Sequence, residues 1–296
     1  LKKYRYYKNK ATKKFKEVRK INPDFETIVG SINTKWSNEH VSAWLNLRVY
    51  QNEEEAKKEL RNDLYSPLII DVAKNCLMSC KKDAILFTNG DNDTYPLHYV
   101  QEQLGFRKDV LIVNMSLLGV TQHINSYKEK INEAIPMPSS IDYLYKEVFN
   151  AKIQKGRESD CINAIKEIKD KNKSPENIKL PINTNIIPVK DLIEWKGKDI
   201  LSSINFKLKS KNIHQSDIAL LDILANFNWE RPLYFVNPYK TLNKFNGMMD
   251  YVQVEGVVSK LVPFNINQEQ VNIDKSYDLL MNKYSYSNIK DIQETD

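Results

Sequence analysis

Residues 66–265 read as an α/β domain: a predominantly parallel sheet with helices on both faces, Rossmann-like in class, preceded by a basic helical arm. Three observations predict this. An apolar strand at 84–87, a helix with Pro96 in its first turn and Gly105 past its end, and a second apolar strand at 110–115 make a βαβ unit, which requires parallel strands. A second apolar helix, 217–225, leads through Asn226 and Trp229 into a buried strand at 232–236. Residues 1–20 hold ten Lys or Arg against one acid, Glu17. That segment carries +9 in a chain of net charge +6, so the remainder is mildly acidic at −3.

In chain order, residues 1–65 form the basic arm and a connecting region containing Trp36, Trp44 and an acidic-basic helix at 52–60. Ser66 caps the next helix and Pro67 opens it. Leu68, Ile69, Val72, Ala73, Cys76, Leu77 and Cys80 recur there at helical spacing, which makes the two thiols small core hydrophobes. Leu97, Val100 and Leu104 form the face packed on the sheet, and His98 lies off that face, toward solvent or the turn. A helical and polar insertion is expected near 140–185. It comprises a helix over 140–172, with Ile162, Ile165 and Ile168 on one stripe, and the polar loop KNKSPENIKLP at 171–181 as the internal boundary. Ser216 caps the 217–225 helix, 251–262 closes the domain as a strand or βα segment, and 266–296 reads as a polar C-terminal tail.

Ligands of parallel α/β units sit at the carboxyl ends of strands. Here that end carries Asn89, Asp91, Asn92, Asp93 and Thr94. Three chemistries fit the pattern. Asp91 and Asp93 match the Asp-x-Asp with which metal-dependent glycosyltransferases hold a divalent ion, and carboxylate oxygens suit such hard cations. An aspartate-nucleophile phosphatase fits less well, because Thr94 falls one residue early and Tyr95 takes its place. Helix capping asks for the same residue types, since Asp, Asn and Thr satisfy the first N–H groups and complement the dipole. Asn237 and Tyr239 follow the 232–236 strand, and would face the same crevice if that strand lies beside and parallel to 84–87. Trp229 and Arg231 are expected to hold the intervening turn by packing and by a carboxylate pair.

Composition narrows the function classes. Hydrophobic residues at 41% suffice for a core. Three cysteines make no disulfide framework, and the four histidines, His40, His98, His123 and His214, show no zinc-ligand spacing. Gly-x-Ser-x-Gly and the phosphate-cradling Gly-rich loops are absent from the sequence. The arm's Lys2, Lys3, Arg5, Lys13 and Lys14, interleaved with Tyr4, Tyr6, Tyr7 and Phe15, suit an anionic lipid or an acidic protein surface. Nucleic acid is set aside because no recognised nucleic-acid module accompanies the arm. Starting at Leu1, the chain reads as mature or excised.

The block FTNGDNDTYPLHYVQEQLGFRKDVLIVNMSLL is similar to the soluble region of the bacterial protein O-mannosyltransferase-like membrane proteins. Asp71-Val72-Ala73-Lys74-Asn75-Cys76-Leu77 resembles the helix before that block. Residues 215–226 with Asn228-Trp229-Glu230-Arg231-Pro232-Leu233-Tyr234-Phe235 resemble a second block, and Glu255-Gly256-Val257 with Leu261-Val262-Pro263 a closing one. The likeness spans about 66–135 and 186–265. Those relatives begin with transmembrane helices that contain the acids proposed for glycosyl transfer. Nothing here approaches ~20 consecutive apolar residues, so the chain is expected to be soluble and catalysis does not carry over. The resemblance implies a non-catalytic recognition or assembly domain outside the cytoplasm, in the periplasm or at the outer membrane. Envelope proteins are its expected partners, with an anionic membrane surface and a sugar as further candidates. The runner-up is part of a glycosyltransferase using the Asp-x-Asp turn. No cofactor is specified, a divalent metal at Asp91 and Asp93 being the one candidate.

Overall fold

In the computed structural model, residues 1–126, 150–227, 229–267 and 269–288 are described. Helix α1 (Lys2–Ile21) and a two-residue ribbon of β1 (Glu26–Thr27) and β2 (Gly30–Ser31) lead into α2 (Ile32–Tyr50), capped by the Ser31 hydroxyl, and the short α3 (Glu53–Lys57). Helix α4 (Pro67–Ser79) begins as read, with the Ser66 hydroxyl accepting from Ile69 N–H and Pro67 in the first turn. Cys76 and Cys80 are buried free thiols, yet Val72 is exposed and Asp71 is buried in its stead.

The βαβ unit is present. Strand β3 (Ile85–Thr88) pairs in parallel with β4 (Leu111–Asn114), Ile85 opposite Leu111, and α5 (Asp91–Leu104) crosses between them. Every residue of both strands is buried, as strands covered on both faces require. Helix α5 starts a turn earlier than Pro96 implied, because Asp93 caps it from inside. Leu97 and Val100 face the core, whereas Leu104, in the last turn, is half exposed. His98 is buried against Trp44, 5.4 Å between ring centroids, and does not point to solvent.

The predominantly parallel, Rossmann-like sheet is overturned. The chain builds two mixed five-stranded sheets. In the first, β9 (Leu233–Phe235) pairs in parallel with β3, but β12 (Val258–Leu261) and β11 (Val252–Glu255) continue antiparallel, in the order β11-β12-β9-β3-β4. The cause is local. Glu255 pairs with Val258 across Gly256 and Val257, and a two-residue turn can only reverse the chain. Gly256 takes the positive φ of +66° that this turn needs.

The second sheet occupies the stretch expected to be a helical and polar insertion. Strand β5 (Asn150–Asp160), helix α6 (Cys161–Lys171) and β6 (Lys173–Pro181) form another βαβ unit; β7 (Ser203–Leu208), β8 (Asn212–His214) and β10 (Phe245–Asn246) complete the order β10-β7-β6-β5-β8 with antiparallel pairings. Residues 171–181 are therefore no boundary loop. Ser174, Ile178 and Leu180 point inward from β6 while charged neighbours point out. The 140–172 helix is confined to α6, where Ile165 and Ile168 are buried but Ile162 is half exposed; residues 140–149 lie outside the described residues.

The first sheet separates two cores. Leu86, Ile112 and Tyr234 face α2, α4 and α5. Ile85, Phe87, Val113 and Phe235 face the other core, with Phe87 and Phe235 stacked at 5.4 Å. This second core includes α6, the inner face of the second sheet and α8 (Gln215–Ala225), whose apolar residues are buried all round. His214, not Ser216, is the cap residue of α8: its N–H donates to Asp217 Oδ2 at 2.9 Å. In the chain, the short α7 (Val189–Glu194) lies between β6 and β7. The C-terminal segment is not a loose tail. Helix α10 (Ile273–Asp278), which follows the short α9 (Pro238–Thr241), leads to Ser285, which exchanges two hydrogen bonds with the Asn75 side chain at 2.8 and 2.9 Å, while Asn288 donates to Asp71 at 2.7 Å. Among the described residues no helix is long and apolar enough to cross a membrane.

Candidate functional site

Strands β4, β3 and β9 all end at one edge, and the polar turn after β3 knits those ends together. Asp93 Oδ2 accepts the Asn89 N–H at 2.9 Å and its Oδ1 accepts the Gly90 N–H at 2.6 Å. An acid in the first turn thus satisfies two backbone donors and meets the positive end of the helix dipole. Thr94, fully buried, donates to Gly90 O at 2.6 Å and accepts from Asn114 Nδ2, at the end of β4, at 2.7 Å. Asn89 donates to Thr241 Oγ1 at 3.0 Å, and Asn237 caps α9 by accepting from Lys240 N–H at 3.0 Å. Asn92 reaches the other way, donating to Val29 O and accepting from Asn38 Nδ2, both at 2.7 Å.

The residues singled out at this edge therefore divide. Asn89, Asp93, Thr94 and Asn237 meet in one hydrogen-bond network, whereas Asn92 ties α5 to Val29 and Asn38 on the other side. Asp91 stands at its rim, half buried; burial pushes its carboxyl above the ordinary carboxylate value, Lys35 pulls it down, and Glu39 and Asp93 push it up. Tyr239 stands apart, with 76% of its surface exposed. A divalent cation needs six or more oxygen ligands. Asp93 has committed both oxygens to the helix cap, and among the described residues no group of three or more His, Cys, Asp or Glu is placed to hold a metal ion. Arg231 anchors the turn before β9 through the main-chain carbonyls of Asp83 and Asp109, and Trp229 packs on Phe227 and Trp195.

The basic segment is a two-faced helix lying along α2. Inward, Arg5 pairs with Glu55 at 2.6 Å and with Glu59 at 3.4 Å, and Lys8 pairs with the buried Glu59. Thr12 is buried, and Arg19 stacks over Trp36 at 4.3 Å. Burial first, and then the charges of Lys8 and Arg61, hold the neighbouring His40 neutral, its pKa lowered to about 4. Outward, Lys2, Lys3, Tyr6, Tyr7, Lys10, Lys13 and Lys14 are all exposed. Of the five residues proposed for a partner, four face solvent and Arg5 belongs to the fold.

Two cavities flank the sheet. The larger, about 570 Å³, lies at the amino ends of β3 and β4, between Arg48 on α2, His98 and Glu102 on α5, and Asp109. It is at the opposite end of the strands from the polar turn, so cavity size and strand-end chemistry point to different places. The second, about 400 Å³, opens beside Tyr239 and is lined by Asp250, Ser259, Asn265, Asn267 and Gln270. Sequence reading found only Tyr239 of these. The Asn-x-Asn of 265–267 was the available signal, split between the expected end of the α/β domain at 265 and the polar tail from 266. Also unforeseen is a buried charge cluster, in which Lys260, 2% exposed, lies 4.0 Å from the fully buried Glu255 and over the Trp195 ring at 4.8 Å.

Comparison with curated proteins and with solved structures gives no match. The family described as TMEM260-associated domain 2 matches residues 69–174 and 143–278, two overlapping segments that jointly take in the first sheet, the second sheet and the docked α10. That description accords with the likeness to O-mannosyltransferase-like proteins. Since the matched residues, 69–278, are well over half of the 296, the chain belongs to the TMEM260-associated domain 2 family.

Proposed function

We propose that this domain is a non-catalytic recognition or assembly module of the bacterial cell envelope, working outside the cytoplasm and meeting an envelope protein or anionic membrane surface through the outer face of α1. The observation that carries this reading is the division of α1. Arg5, Lys8 and Arg19 are spent on holding the helix, while Lys2, Lys3, Lys10, Lys13 and Lys14 project together with Tyr6 and Tyr7. Clustered cations with amphipathic rings match an acidic surface, and the acidic remainder of the chain leaves this face as the place to meet one. The commitment of Asp93 to the α5 cap supports a structural role for the turn.

The test is retention on native envelope membranes and their proteins. The charge reversal Lys2→Glu/Lys3→Glu/Lys13→Glu/Lys14→Glu is expected to melt like the wild type and to lose retention; undiminished retention overturns the reading. The competing account, a glycosyltransferase part that uses Asp91 and Asp93 on a metal or sugar, is favoured by the raised Asp91 carboxyl beside Glu39 and Asp93. It requires Mg²⁺ or Mn²⁺ to raise the melting temperature and Asp93→Asn to abolish that rise.

A further inference from the structure

We infer that the 400 Å³ cavity beside Tyr239 is a binding site for a neutral carbohydrate. Its volume falls within the usual range for small-ligand sites, roughly 300–1,000 Å³. The floor is apolar, made by Val252, Val254 and Met249, and the buried Ser259 adds a hydroxyl. Tyr239 stands at the mouth with 76% of its surface exposed, which leaves an aromatic open for a ligand to cover. Around it stand the Asp250 carboxylate and the Asn265, Asn267 and Gln270 amides.

This combination has a specific chemical complement. A pyranose offers a C–H face that stacks on an aromatic ring and a rim of hydroxyls, each both donor and acceptor. Amides match both roles and a carboxylate accepts from adjacent hydroxyl pairs. Among the described residues no Lys or Arg lines the cavity, so a phosphate, a nucleoside diphosphate or a sialic-type carboxylate has no countercharge there. The wall is also held in place. Ile266 N–H donates to Asp250 O at 2.9 Å, Val254 N–H to Gln270 O at 2.8 Å and Gln253 Nε2 to Glu269 O at 2.9 Å. Such tethering fixes the main chain that carries the amides before a ligand arrives, which lowers the ordering cost of binding.

The site is separate from the basic face of α1, so the two stand or fall independently. Saturation-transfer NMR of the intact chain with the methyl glycosides of glucose, mannose, galactose and N-acetylglucosamine is expected to detect at least one binder. Tyr239→Ala and Asp250→Ala should each weaken it about tenfold or more while leaving the melting temperature unchanged, as exposed side chains allow. Inorganic phosphate should not displace the sugar, and Lys13→Glu/Lys14→Glu should bind as the wild type does. Absence of binding by all four glycosides, binding undiminished in Tyr239→Ala, or displacement by phosphate would each overturn the assignment.

Discussion

Asp93 shows how one side chain serves as both a motif and a cap. Its carboxylate holds the N–H groups of Asn89 and Gly90, which no helical partner can satisfy. Asp93→Ala should therefore destabilise the chain by about 1–2 kcal/mol, the upper part of the range for a lost cap, read as a lower urea midpoint with unchanged m. Asp222 makes a different prediction. It lies in α8 at 1% exposure, and although Asn226 donates to it at 3.3 Å, burial pushes its pKa up to about 8. The folded chain keeps this proton up to about pH 8, whereas an unfolded carboxyl releases it near pH ~4. Between those values the native state binds more protons, so this group's contribution is complete below pH ~4 and is lost as pH rises toward about 8. Asp222→Asn should flatten that decline. Melting curves at stepwise pH are expected to show the variant gaining on the wild type between pH ~4 and about 8; parallel profiles would contradict the assignment.

At the scale of elements, the hairpin tip and the C-terminal segment depend on one another. A Cβ on Gly256 would overlap Tyr284 Oη and come within 2.9 Å of Leu279 Cδ1, and Tyr284 Oη also accepts from Val257 N–H at 3.0 Å. Gly256→Ala should cost more than about 1 kcal/mol, through the positive φ and the displaced ring together, and hydrogen exchange should rise at 279–288 before it rises in β3. Sequence reading succeeded where local chemistry and tertiary role coincide. The β3–α5–β4 unit was legible because Ile85, Leu86 and Phe87 are apolar without alternation, the mark of a strand buried on both faces, and because Gly105 stops the helix. It failed where context decides. Strand β5 runs through Lys152, Lys155, Arg157 and Glu158, a charge pattern equally suited to a helix surface, and only pairing with β6 and β8 fixes it as a strand. The β11–β12 reversal rested on Glu255-Gly256-Val257, three residues read for resemblance and not for turn geometry. At the candidate site, Asn89 and Asn237 were legible as strand-end amides. The cavity wall of Asn265, Ile266, Asn267 and Gln270 was not, because it acquires meaning only once Gln270 lies along β11.

For the whole molecule, the consequence of the α1 arrangement is that binding and stability can be separated on one helix. Sequence charge alone reads residues 1–20 as a basic arm with no part in the core. The fold instead gives Arg5 and Lys8 the task of compensating Glu59, which is 7% exposed and would be left buried without a countercharge. A chain beginning at Ile21 is therefore expected to melt several degrees lower than the full chain, as ~1–2 kcal/mol of lost stability would produce at this size. The outward lysines carry no such burden. Exposed charges act across only ~8 Å at physiological salt, so an interaction through them must weaken steeply as salt rises.

The most direct measurement is co-sedimentation with native envelope membranes, from about 0.05 to about 0.5 M salt, a range over which exposed charges become screened. It should compare the wild type, the outward set Lys2→Glu/Lys3→Glu/Lys13→Glu/Lys14→Glu and the inward pair Arg5→Ala/Lys8→Ala, each with its melting temperature. The account predicts salt-sensitive association for the wild type, its loss with unchanged melting for the outward set, and lowered melting with retained association for the inward pair. Association that persists at high salt, or that survives reversal of the four outward lysines, would contradict it.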